Sequence, residues 1–537
     1  MDTKVQASQY ASLSVKLWPP SKSTRLSLVK RMTTNLTMPS ILSRKYGLLS
    51  KEEAEDRSKE IEEEAFATAD LHFEKEPDAD GSSAVRLYAS ESSKLMVEVL
   101  KRGPTVKQNG EGLMLEKLTA TDGNLFDISG GRRAFIDAEE AEQLLRPLSM
   151  PHNSYTRICF SNRSFGLEAA RVAEPILVSL KDQLTEVDLS DFIAGRPEAE
   201  ALEVMSIFSS ALKGCKLRFL DLSNNAMGEK GVNAFEGLFR SQNQLEELYL
   251  INDGISEEAA RAVCDFIPST DKLRILHFHN NMTGDEGAVA IAEIVSRSPS
   301  LEDFRCSSTR VDSEGGVALA EALGSCTRIK KLDLRDNMFG VEAGLALCKP
   351  ISRFADLTEV YLSYLNLEDE AAIAISNALK ESAPSLEVLE LAGNDITAEA
   401  ASALAALIQA KQFLTKLNLS ENELKDEGAS VISEALEAGH GQLIEVDMSA
   451  NAIRIAGAKA LAEAVANKSG FKKLNINGNY ISEEGIDELK DIIPHVLGPL
   501  DENEPEGEDD LDLEDEAEVD DDELESKLKG LQINKHE

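Results

Sequence analysis

Cations are in short supply along this 537-residue chain: 56 lysines and arginines face 96 aspartates and glutamates, a formal net charge of −40. A surface of that sign repels nucleic-acid backbones and anionic membranes, so neither is expected as a direct partner, and a basic protein fits better. Long apolar runs are missing too. No stretch approaches the 18 residues a membrane-spanning helix requires, and the N-terminus carries no apolar signal core. Secretion and membrane insertion are therefore not expected, and an intracellular setting is. The six cysteines (Cys159, Cys215, Cys264, Cys306, Cys326 and Cys348) form no CxxC pair and have no histidine at ligand spacing. Buried reduced thiols are expected ahead of disulfides or zinc. Catalytic signatures are absent: there is no Walker A loop, GxSxG, HExxH or kinase motif set. The nearest histidine pair, His277 and His279, falls on one expected strand, which suits polar strand-face residues rather than metal ligands. Tryptophan occurs once, at Trp18.

What is plentiful is a repeat. LRFLDLSNNAMG (217–228), LEELYLINDGIS (245–256), IKKLDLRDNMFG (329–340), LEVLELAGNDIT (386–397) and LTKLNLSENELK (414–425) share one pattern of apolar positions ending in an asparagine site. That site falls at Asn225, Asp253, Asn281, Thr309, Asn337, Leu365, Asn394, Asn422, Asn451 and Asn479, in steps of 28 or 29 residues. Two weaker copies, RICFSNRSF (157–165) and LTEVDLSDFIA (184–194), bring the number to about twelve. This is the leucine-rich-repeat signature. Alternation at Leu217, Leu220 and Leu222 gives a short strand with one buried face. The asparagine amide then satisfies backbone groups where the chain leaves the strand. A helix-patterned stretch such as 229–242 closes the unit. Strands ~4.8 Å apart on the inside and wider helices outside force a curve. The expected fold is an α/β horseshoe, a ribonuclease-inhibitor-like solenoid.

Around the array, residues 1–12 read as a flexible N-terminus. Residues 13–104 read as an all-α domain: a helix capped by Ser21 or Ser23 and running to about Met32, a short one after Pro39, one over about 51–75 behind a Ser50/Glu53 capping box, and one over about 84–101. This is the least acidic region, with Lys16, Lys22, Arg25, Lys30, Arg31, Arg44 and Lys45. Residues 105–122 form a linker and 123–155 the cap of the solenoid, where Gly130–Arg133 is read as a turn ahead of an anion-binding nest. The repeats with their C-terminal cap cover 156–498. Residues 499–537 are an expected disordered acidic tail, with 17 Asp or Glu among positions 501–525. A solubilising role and a lure for a basic partner both remain open for it.

One irregularity singles out an end of the array. The step from Phe192 to Asn225 is 33 residues, and the surplus follows the strand at 187–191. Gly195-Arg196-Pro197 is expected to project as a longer loop on the edge that carries Asn224 and Asn225. The neighbouring Asp253 replaces the usual asparagine. An arginine beside asparagine and aspartate on one rim makes a docking site, although a scaffold role alone would account for Asn225.

Trp18-Pro19-Pro20, the twelve 28-residue repeats and the acidic tail together resemble the plant Ran GTPase-activating proteins across essentially the whole chain. DLSDFIAGRPEA (188–199) and LSNNAMGEKG (222–231) look like that family's Ran-contacting repeats. The resemblance implies acceleration of GTP hydrolysis on Ran with no arginine finger, a loop asparagine orienting the GTPase's own glutamine. It assigns the catalytic role to Asn225 and Ran docking to Arg196, Asn224, Asn252 and Asp253. It implies no independent active site and no cofactor, GTP and Mg²⁺ being carried by Ran. The N-terminal module resembles a WPP domain, with Trp18, Pro19 and Pro20 as nuclear-envelope targeting residues, although Trp18 also suits a staple of the small domain's own core. Its implied partners are coiled-coil proteins of the plant nuclear envelope. The implied localisation is cytoplasmic and concentrated at the outer envelope, with spindle and cell-plate structures in division. The competing reading is a non-catalytic leucine-rich scaffold that grips a basic protein on its concave face. An innate-immune receptor is disfavoured because no nucleotide-binding module accompanies the repeats.

Overall fold

The computed structural model describes residues 18–20, 22–37, 49, 51–75, 82–102, 124–130 and 134–504. The chain divides into two compact units, Met1–Ile176 with Ser190–Val204, and Leu177–Leu189 with Met205–Glu537.

The first unit holds three long helices, α1 (Lys22–Thr37), α2 (Lys51–Lys75) and α3 (Ser82–Arg102). α1 runs past its expected end at Met32. The hydroxyls of Thr33, Thr34 and Thr37 donate to the carbonyls of Val29, Lys30 and Thr33, so these β-branched residues are accommodated within the helix. Leu36, fully buried, anchors the added turn. Met32, Leu36, Leu49, Ala54 and Ile61 make one core cluster, and Trp18, Ala65, Ala69, Ala84 and Tyr88 a second. The short helix expected after Pro39, Ser50 of the capping box, residues 131–133 and the acidic tail beyond 504 lie outside the described residues. The same unit contains β1 (Leu125–Asp127) paired in parallel with β3 (Arg157–Cys159), and β2 (Ala134–Ile136) paired with β4 (Arg163–Phe165). Asp137 caps the helix Ala138–Leu145 that follows β2.

The second unit is a solenoid of eleven parallel strands among its described residues, in chain order: β5 (Glu186–Asp188), β6 (Phe219–Asp221), β7 (Glu247–Tyr249), β8 (Ile275–His277), β9 (Asp303–Arg305), β10 (Lys331–Asp333), β11 (Glu359–Tyr361), β12 (Val388–Glu390), β13 (Lys416–Asn418), β14 (Glu445–Asp447) and β15 (Lys473–Asn475). Each is three residues long, and the middle residue is the apolar one that the repeat pattern buries. The register runs Val187, Leu220, Leu248, Leu276, Phe304, Leu332 and onward, each opposite the next and each fully buried.

Helices return each unit to the next strand, and small residues let them approach. A Cβ on Gly344 would stand 2.6 Å from the Cβ of Ala371 on the following repeat's helix, so only glycine fits there. The helix patterned over 229–242 is split into Gly228–Ala234 and Glu236–Phe239. Ser482 caps the last helix, Glu483–Ile492. All six cysteines are free thiols. No helix among the described residues is long and apolar enough to cross a membrane.

Candidate functional site

The repeat asparagines form a buried ladder. In each rung Nδ2 donates to carbonyls of its own turn and of the preceding repeat, and Oδ1 accepts backbone N–H groups of that repeat. Asn281 shows the full set: Nδ2 to Leu250 O and Phe278 O, both 2.7 Å, with Oδ1 accepting from the N–H of Asp253 and of Ile255 at 3.0 Å. Asn225 is such a rung. It is 3% exposed, and its Nδ2 donates to Leu189 O (2.9 Å), Leu222 O (2.6 Å) and Ser223 O (3.3 Å). The catalytic expectation for Asn225 thus falls on an amide whose hydrogens are already given to carbonyls of its own stack. The docking expectation for Asp253 falls on a fully buried residue, whose Oδ1 accepts the N–H of Asn225 at 2.8 Å.

The asparagines that reach solvent are the residues one position earlier. Asn224, Asn252 and Asn280 are exposed, with left-handed φ of 65°, 58° and 54°. Asparagine tolerates that region better than most residues, and the turn needs it to carry the chain off the strand. Their backbone N–H groups donate to Ile251 O, His279 O and Ser307 O of the next repeats. Their side chains link head to tail: Asn280 Nδ2 donates to Asn252 Oδ1 (3.0 Å), and Asn252 Nδ2 to Asn224 Oδ1 (3.1 Å). Asn252, in the middle, is held from both sides and keeps a second amide hydrogen and a second lone pair for a partner. Asn280 was not singled out from the sequence, although Asn-Asn, Asn-Asp and Asn-Asn recur at 224, 252 and 280 in steps of 28. Asn252 and Asn280 line a shallow depression of about 530 Å³ that also takes in Met282, Arg310 and Met338.

Charges on the strand face are paired among themselves. Glu390 accepts from Arg335 (2.8 Å) and Lys416 (2.7 Å), Asp333 is bridged by Arg335 at 2.9 Å, and His277 Nε2 lies 3.0 Å from Asp303 Oδ1. Such internal neutralisation works against that face as a purely acidic gripping surface.

Arg196, in the first unit, turns inward rather than projecting. Its side chain is 16% exposed. Nε donates to Ser164 Oγ (3.1 Å) and Nη2 to Ser164 O (2.6 Å) and Ile136 O (3.3 Å), while Glu200 pairs with it at 3.6 Å. The guanidinium lies 5.0 Å from the Phe135 ring centre. Of docking and loop shape, the two roles expected of Arg196, these bonds favour loop shape, because they tie β2, β4 and the start of helix Glu198–Leu212 together. Gly195 beside it, at φ 78°, leaves only 2.9 Å to Phe135 for a Cβ.

Trp18 is a core residue. It is 3% exposed, stacks on Phe66 at 5.1 Å, meets Tyr88 edge-on at 5.6 Å and donates Nε1–H to Asp70 at 3.0 Å. Of the two roles open to it, core staple and targeting contact, this burial favours the staple; Pro19 is exposed and Pro20 half-buried. Nearby, Arg25 forks onto Glu62 at 2.7 and 2.9 Å and sits 3.7 Å from the Phe66 ring centre, and Tyr88 donates its hydroxyl to the same carboxylate. Burial alone would raise the Glu62 carboxyl, but the bonds from Arg25 and Tyr88 outweigh it and hold it below the usual range.

Sequence comparisons agree with this architecture. The WPP domain model matches residues 14–110, and the Leucine Rich repeat model matches 215–235, 382–405 and 410–433. The molecule is thus a leucine-rich-repeat protein joined to a WPP domain. It is 63% identical over 535 residues to RAN GTPase-activating protein 2 of Arabidopsis thaliana, covering 98% of each chain. Against RAN GTPase-activating protein 1 of the same plant it is 65% identical over 252 residues, 47% of this chain and 46% of the relative. MFP1 attachment factor 1 of Solanum lycopersicum matches at 39% over 101 residues, 18% of this chain and 64% of that one. The chain belongs to the Ran GTPase-activating protein family.

Proposed function

We propose that the protein accelerates GTP hydrolysis on Ran and that the acting side chain is Asn252. The observation that carries the assignment is the exposed amide row Asn224–Asn252–Asn280, fixed at its centre by neighbours on both sides. An amide already held in place loses little freedom when it fixes a glutamine of the GTPase, so the positional gain goes into the barrier. Asn224 and Asn280 act as its supports. GTP and Mg²⁺ belong to Ran, and this chain brings no cofactor and no independent active site. Arg196 is spent on its own loop, which fits a mechanism without an arginine finger.

Single-turnover hydrolysis of Ran-bound GTP tests this. Asn252→Ala is expected to lower the stimulated rate at least about 100-fold, a loss typical of a preorganised polar group. Arg310, exposed in the same depression, is the cation a finger would require. Arg310→Ala is expected to keep the rate within about threefold, because a finger is worth about 10³ or more. A large loss with Arg310→Ala and none with Asn252→Ala would invert the mechanism.

The WPP domain is the localisation module. Lys30 and Arg31, exposed on α1, suit an acidic coiled coil of the nuclear envelope, and the domain places the activator at the outer envelope in interphase and on spindle and cell-plate structures in division. The likeness of residues in this domain to an attachment factor supports that reading.

A further inference from the structure

Carbonyls along the ladder take amide protons from two successive rungs. Leu391 O accepts from Asn394 (3.0 Å) and Asn422 (3.1 Å), and Leu419 O from Asn422 (3.0 Å) and Asn451 (2.9 Å). At position 253 the supply is interrupted. Leu222 O receives Asn225 Nδ2 at 2.6 Å and Leu250 O receives Asn281 Nδ2 at 2.7 Å. The rung that would complete both is Asp253, which has no amide. Its Oδ1 accepts the N–H of Asn225, and its Oδ2 is buried with no hydrogen-bond partner. Two other rungs depart from asparagine, Thr309 and Leu365, but neither brings a charge. Thr309 donates its hydroxyl to Cys306 O at 3.2 Å.

We infer that Asp253 stands in the ladder as the neutral acid, its Oδ2 proton directed at the carbonyls of Leu222 and Leu250, and that it positions the exposed Asn252 beside it. The positioning half rests on the role proposed above for Asn252. An ionised carboxylate would set an oxygen with only lone pairs against carbonyl oxygens in a dry interior, whereas the acid supplies the missing donor. No cation among the described residues pairs with Asp253, and the charged group that acts on it is another acid, Asp221. Burial pushes the carboxyl well above its ordinary range; the Asn225 N–H pulls the other way and Asp221 adds to the rise. The residue also binds through its backbone: its N–H donates to Asn281 Oδ1, and its carbonyl accepts from the N–H of Gly228 at 2.9 Å. It therefore joins the turns of Asn225, Asn252 and Asn281, and ionisation would loosen all three.

The sign of the pH dependence follows. Below about pH 4 both folded and unfolded chains hold this proton, and the stabilisation the neutral acid gives is present in full. As pH rises above that value the unfolded chain releases it while the folded one keeps it, so stability falls progressively until the folded carboxyl ionises. Asp253→Asn supplies the donor without the proton. The variant is expected to melt above wild type by a margin that grows from pH 5 to pH 8, reaching about 2–4 °C. It is also expected to extend stimulated hydrolysis to alkaline pH, where wild type declines. Asp253→Thr copies a rung the array already accommodates; it is expected to fold yet lose kcat by about tenfold or more with a smaller change in KM, since a shift of about 1 Å in a catalytic group can cost about 100-fold. A melting margin that is reversed or constant with pH overturns the neutral acid, and wild-type kcat in the threonine variant overturns the positioning role. A wild-type chain that fails to stimulate Ran would instead refute the activator reading, and the melting comparison would still decide the protonation.

Discussion

At the scale of single residues, two adjacent asparagines have opposite fates. Asn225 faces in and Asn224 faces out because the strand's two-residue alternation and the left-handed turn leave one side for each. The repeat spacing marks Asn225 in the sequence, but marks it as a member of the series, and a series of buried rungs is what the solenoid needs. The residues available to a partner sit one position before, where the sequence carries no periodic apolar cue and only the doubling of polar residues at 224, 252 and 280 hints at a row. That Arg196 folds back on Ser164 and Ile136 was not legible either, because the contact joins residues 32 and 60 positions apart. Asn225→Ala separates the two roles. It removes a buried donor from three carbonyls, at about 1–3 kcal/mol for each group left unsatisfied. The urea midpoint is expected to fall clearly below wild type, with kcat of the folded protein reduced less than in Asn252→Ala. An Asn225→Ala protein that unfolds like wild type and yet loses all stimulation would return the catalytic role to Asn225.

At the scale of elements, strands and helices were readable because local pattern and tertiary demand coincide. The expected helix over 51–75 is α2 to the residue, and the one over 84–101 lies within α3. Each strand of the solenoid falls on an apolar alternation, since that alternation is the only thing burying it. Misreadings arose where side chains satisfy themselves locally, as the threonines of α1 do. Trp18 illustrates what periodicity cannot decide, since a lone tryptophan suits a core or a contact equally well. Trp18→Ala is expected to destabilise the helical domain by about 3–5 kcal/mol, the usual cost of truncating a large buried aromatic, and to release the protein from the envelope by unfolding its anchor. Pro19→Ala, exposed, is expected to leave the melting of this domain intact. Lost envelope staining in a folded Pro19→Ala protein identifies the contact surface; normal staining places that surface elsewhere on the domain. Acid acts on the same element. Because the Glu62 carboxyl is depressed, its bonds to Arg25 and Tyr88 stabilise above the ordinary carboxylate range and are lost as pH falls through the lower folded value. Melting of this domain is therefore expected to drop below about pH 4, and Glu62→Gln, lower melting at neutral pH, should flatten that drop.

For the whole molecule, the decisive quantity is charge. Positions 501–537 hold 18 acidic residues against three lysines, so a chain ending at residue 500 carries a formal charge of −25 in place of −40. Potentials of that size act over roughly a Debye length, about 8 Å at physiological ionic strength, and fade steeply with added salt. They raise encounter rates with an oppositely charged partner without altering what happens once the complex has formed. The strand face contributes less than its composition suggests, since Arg335 and Lys416 already answer its buried carboxylates Asp333 and Glu390. The densest run of acids in the sequence is the C-terminal one, and its charge adds most to the long-range field. A chain ending at residue 500 should show the same kcat on Ran as the full protein, a higher KM at low salt, and a KM that rises less steeply between about 50 and 200 mM salt. If both chains give parallel salt dependences, the tail does not steer, and its acidity serves the protein's own solubility.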